Sequence, residues 1–101
     1  MADLPVACTL GPAALKARRE GILSELLRQA TKHEALPDGH RWRFAAADDT
    51  LELIARAIAA ERQCCRFLRF TVTVEPDEGA IVLELTGPPG TREFLTALIA
   101  S

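Results

Sequence analysis

At 101 residues, with 49% hydrophobic and 26% charged residues, the chain has the size and composition of one globular domain with its own core. A net charge of −2 argues against holding a partner by phosphate neutralisation, and four Phe, one Trp and no Tyr make no base-stacking platform, so nucleic acid is not expected as a partner. No apolar run approaches the roughly 20 residues that span a bilayer, so no membrane partner is expected either.

Taken in chain order, residues 4–8 read as a short first strand ending at Cys8. Gly11 and Pro12 then suit a helix start. Leu15, Ile22, Leu23, Leu26, Leu27 and Ala30 recur at three- and four-residue steps, which predicts an amphipathic helix over 13–31 with Gly21 inside it. His33-Glu34-Ala35-Leu36 leads into Pro37-Asp38-Gly39, which predicts the turn of a hairpin whose second strand is the clearer one, with proline presetting its backbone angle and glycine supplying a positive φ. Over 40–45, Arg41 and Arg43 alternate with Trp42 and Phe44, the pattern of a strand that buries the tryptophan.

Asp48-Asp49-Thr50 is expected to cap a second helix over 51–65. Residues 67–75 alternate again, with Leu68, Phe70, Val72 and Val74 on one face and Arg69, Thr71 and Thr73 on the other. Pro76-Asp77-Glu78-Gly79 turns the chain into a strand over 81–85, with Ile81, Leu83 and Leu85 facing inward. Gly87-Pro88-Pro89-Gly90 breaks that strand, and 91–100 forms a last amphipathic helix carrying Phe94, Leu95, Leu98 and Ile99. The expected fold is a single α+β domain over 1–101. Its first six elements match the ferredoxin-like βαββαβ core, extended by one strand and a C-terminal helix. In that layout the first strand is central.

The unusual chemistry lies at the end of the second helix, in Glu61-Arg62-Gln63-Cys64-Cys65-Arg66-Phe67. At about 100° per residue, Leu51, Ile54, Ile58 and Cys65 share an apolar stripe flanked by Leu53, Ala57, Ala60 and Cys64. Glu61 falls on the same side, three residues from one thiol and four from the other. A carboxylate there is costly unless it is paired, and it is expected to be at least half buried. Three cysteines leave at least one thiol unpaired, which with the absence of a leader-like start points to a reducing, cytoplasmic setting.

Neighbouring thiols at a helix end diverge, so a direct Cys64–Cys65 disulfide would need an unwound turn. A soft ion such as Hg(II), Cu(I) or Zn(II) can sit between them, with Cys8 as a third sulfur and Glu61 as ligand or supporting group. No organic cofactor is indicated. The competing readings are a thiol redox protein using the same residues and a dimerising interaction module in which the cysteines merely finish the core. Catalysis by a cysteine nucleophile needs a base, and the spacing of His33 and His40 brings neither to the thiols; each reads as a surface or sheet residue.

Cys8-Thr9-Leu10, Leu36-Pro37-Asp38-Gly39, Glu61 to Phe67, and Leu85-Thr86-Gly87-Pro88-Pro89-Gly90 with Glu93-Phe94-Leu95 resemble a family of small, uncharacterised bacterial proteins. These carry an E-R-x-C-C-x-F signature, an early cysteine and a terminal T-G-P-x-G-x-x-x-F-L segment. The resemblance implies that Cys8, Cys64, Cys65 and Glu61 form one site, with an association with heavy-metal handling. Proline commonly follows the cysteine pair in that family; Arg66 stands there in this chain and leaves the helix end less sharply marked.

Overall fold

The computed structural model describes residues 21–99, so the expected strand over 4–8 and the helix residues 13–20 lie outside the described part. The elements are α1 (Ile22–Arg28), β1 (Lys32–Leu36), β2 (Gly39–Phe44), α2 (Asp48–Cys64), β3 (Arg69–Val74), β4 (Ile81–Thr86) and α3 (Thr91–Ile99). They make an α+β fold around one antiparallel sheet in the order β1-β2-β4-β3. Although the sequence shows no repeat, α1–β1–β2 and α2–β3–β4 are each a helix followed by a hairpin. The two hairpins meet through their second strands, with Trp42 opposite Leu83.

A ferredoxin-like sheet carries its first strand between the strands that are here β2 and β3. In this protein β4 holds that place, so the described sheet matches that arrangement only loosely. The reason is local. Only Glu75 to Ala80 separate the two strands, and Glu75 N–H closes the hairpin on the Ala80 carbonyl at 3.1 Å, which keeps β4 beside β3. With β4 between β2 and β3, that place is not held by a first strand ending at Cys8, and Cys8 itself lies outside the described residues.

Alternation set the faces of β2 and β4 as expected, whereas in β3 Val72 and Val74, expected on the covered face, are exposed because no described helix lies over that end of the sheet. Trp42 (2% exposed), Phe44, Ile81, Leu83 and Leu85 are buried on the helix-covered face with Leu23, Leu26, Ile54, Ala57 and Leu95. The opposite face is wet. There Arg41 lies between Glu34 and Glu84, donating from Nη1 at 2.9 Å and from Nε at 2.7 Å. These carboxylates raise the Arg41 pKa further above its ordinary value.

Three local expectations are corrected. Gly21 stands at the N-cap of α1 rather than inside a longer helix, in keeping with the cost of an interior glycine, and the helix stops at Arg28. α2 begins at Asp48, after Ala47, so Asp48 and Asp49 serve the helix dipole from within the first turn instead of capping it. Gly39 has no positive φ. It is required by contact, because a Cβ there would lie 1.8 Å from the Leu85 carbonyl oxygen. Left-handed backbone occurs in the second hairpin, at Asp77 and Glu78 (φ 57° and 56°).

Candidate functional site

Burial along α2 runs through Thr50, Ile54, Ala57, Glu61 and Cys65, a stripe at three- and four-residue steps. Glu61 is in the middle of that stripe at 2% exposure, deeper than the half-burial expected. Cys65 follows one turn later at 1% exposure, within the core cluster that also holds Phe67, Leu68 and Leu95. It caps the helix, its N–H donating to the Glu61 carbonyl at 2.7 Å, and its own carbonyl accepts from Leu68 N–H at 3.1 Å. That tight turn ends α2 without the proline that the resemblance would supply. Phe67 then packs edge-on against Phe94 of α3, which ties the cysteine turn to the last helix.

Of the four expected site residues, Glu61 and Cys65 are thus brought to one buried turn. Cys64 is placed as the last residue of α2. Cys8 lies outside the described residues. Among the described residues no three His, Cys, Asp or Glu side chains form a group that could hold a metal.

A second constellation involves the two histidines, which sequence spacing did not connect. On the inner face of the first hairpin, His33 Nε2 lies 2.9 Å from His40 Nδ1. His40 is 5% exposed, and its Nε2 lies 3.0 Å from Thr96 Oγ1 and 3.2 Å from the Arg92 carbonyl. The Thr96 hydroxyl itself donates to that carbonyl at 2.8 Å. Proton positions follow from this network. A carbonyl only accepts, so His40 carries its proton on Nε2 and accepts at Nδ1. His33 must then donate from Nε2, which leaves the lone pair of its Nδ1 unused by the pair. Trp42 stacks on His33 (centroids 5.0 Å apart, planes at 5°) and on His40 (5.7 Å, 26°).

A readable signal for this pair existed. The two-residue connection Pro37-Asp38 sets the register of the β1–β2 hairpin, placing His33 opposite Trp42 and His40 opposite Ala35. His33 and His40 are then diagonal neighbours on one face. The partners Arg92 and Thr96 come from α3 and depend on tertiary packing.

The pair accepts one proton on His33 Nδ1 without losing a hydrogen bond. Burial, and then the charge of His40, lower the His33 pKa below its ordinary value of 6.5. The unfolded chain therefore binds the His33 proton more readily than the folded one. Stability from this group is fully present above pH 6.5 and declines as pH falls through 6.5 toward the folded value. Denaturant unfolding at about pH 7.5 and about pH 5.5 should show wild type losing more stability on acidification than His33→Gln does. Equal losses would show that His33 is not held neutral by the fold.

Comparison with known proteins finds no family model, no curated protein and no solved structure that matches the chain.

Proposed function

We propose that the end of α2 is a binding site for one thiophilic metal ion, Hg(II), Cu(I) or Zn(II), with Cys64 and Cys65 as sulfur donors, Cys8 as a third, and Glu61 beside them. The observation that carries this reading is the burial of Glu61 in the turn that leads into Cys65. Removing a carboxylate from water is tolerated only where hydrogen bonds, a proton or a counter-charge offset the lost hydration. A thiolate at the same turn has the same requirement, and a soft cation meets both while preferring sulfur to oxygen. The E-R-x-C-C-x-F resemblance and a reducing cytoplasm that keeps thiols available belong to this reading. Thiol exchange fits less well, because Cys65 at 1% exposure lies out of reach of an attacking disulfide.

Native mass spectrometry of the reduced protein, titrated with Zn(II), Cu(I) and Hg(II), tests the proposal. One ion should bind. Cys64→Ser or Cys65→Ser should each weaken it at least tenfold, about 1.4 kcal/mol, and by more than Cys8→Ser does. Stoichiometric binding that survives both substitutions would return the paired cysteines to core packing.

A further inference from the structure

β3 is an edge strand. It pairs with β4 on one side, and among the described residues nothing pairs with the other. Its helix-side valines are poorly covered: Val72 is 38% and Val74 55% exposed, the two large apolar side chains singled out by exposure in the described part. Glu75 N–H points toward β4, since it donates to Ala80 O. In an extended strand main-chain groups alternate in direction, so the N–H and C=O of Phe70, Val72 and Val74 face the free edge. A bare edge with a β-branched run and no charge among its central residues is a template for another strand.

The strand is complementary to itself. Laid antiparallel on a second copy with Val72 opposite Val72 on the twofold axis, Arg69 faces Glu75, Phe70 faces Val74 and Thr71 faces Thr73. The parity is right for a ladder. Phe70, Val72 and Val74 would form the narrow hydrogen-bonded pairs, giving about six bonds, two for each pair. Threonine would meet threonine and arginine would meet glutamate at the closer, non-hydrogen-bonded positions, which are favourable cross-strand combinations. All apolar partners fall on the helix side and both ion pairs on the wet side. Arg69 and Glu75 are exposed, and neither has an ion pair among the described residues, so both are available.

We infer that two copies of this chain associate through β3 in that register, joining their sheets into one continuous antiparallel sheet of eight described strands. The occupant is a second copy because the Arg69–Glu75 complementarity is satisfied twice by the symmetric pairing.

Sedimentation velocity over a wide concentration range, on the whole chain under reducing conditions, tests this directly. Wild type should dimerise reversibly. Arg69→Glu and Glu75→Arg, each placing like charges opposite one another twice, should raise the dissociation constant at least tenfold. The double variant restores opposite charges with reversed sign and should return close to wild type. Val72→Lys, which sets two ammonium groups on the axis, should abolish association. Circular dichroism melts of the four variants should match the monomeric protein, since the altered side chains are exposed. A wild type that stays monomeric throughout, or a double variant as weak as either single one, would overturn the proposal. Monomeric wild type with an edge that captures unrelated strands would count equally against it.

Discussion

Replacing Trp42 with alanine should cost about 3–5 kcal/mol, the range for removing a large aromatic side chain from a packed core. Three features put this position at the upper end. The indole is 2% exposed. It lies on β2, one of the two central strands, opposite Leu83 of β4 and His33 of β1, so it faces partners on both neighbouring strands. It also supports both imidazoles by stacking. Against a total stability of about 5–15 kcal/mol for a domain of this size, that loss leaves a marginal fold. Urea unfolding measures it. Trp42→Phe keeps a ring and should cost less, about 1–2 kcal/mol. A further readout separates the stack from general packing. With alanine at 42, the His33 titration followed by NMR should move up toward 6.5, because burial is the leading cause of its depression. An alanine variant that unfolds with nearly wild-type stability would mean that the sheet's inner face is not the core.

Much of this was legible from pattern. Arg41-Trp42-Arg43-Phe44 alternates because the strand has one wet and one dry face, and its faces came out as read. The apolar direction of Glu61 followed from helical periodicity alone. Strand order was not legible, because it depends on which hairpin edge meets which. β2 and β4 are separated by α2 and β3, and no local signal states that they pair. Coverage was equally hidden: alternation assigns Val72 and Val74 to the apolar face, but whether a helix lies over them depends on where the helices sit. Of the proposed site, periodicity reached the Glu61–Cys65 turn. An approach of Cys8 to that turn would be a long-range matter that spacing does not set, and Cys8 lies outside the described residues.

Gly39→Ala should destabilise by about 2–3 kcal/mol, at the high end of the cost of overpacking, although it adds a single methyl group. The reason is what the methyl would meet. Its three nearest atoms are the Leu85 carbonyl oxygen at 1.8 Å, the Leu85 carbonyl carbon at 2.8 Å and Thr86 Cα at 2.9 Å, all backbone. Side chains can rotate away from such a contact, whereas a ladder of paired backbone can only separate. Relief must therefore come by parting β2 from β4 where Gly39 opposes Thr86 and His40 opposes Leu85. The disturbance should spread along two routes. Asp38 O accepts from Gly87 N–H at 3.1 Å, so the loop after β4 is strained with it. His40 is displaced from Thr96 and Arg92, which loosens α3. Hydrogen exchange should accordingly accelerate at Gly87 and in the first turns of α3 while the closing residues of the β3–β4 hairpin, Glu75 and Gly79, keep their protection. Uniform acceleration across all these amides would mean that the glycine matters only to global stability. A variant within about 0.5 kcal/mol of wild type would show that the β2–β4 contact is looser than the 1.8 Å approach requires.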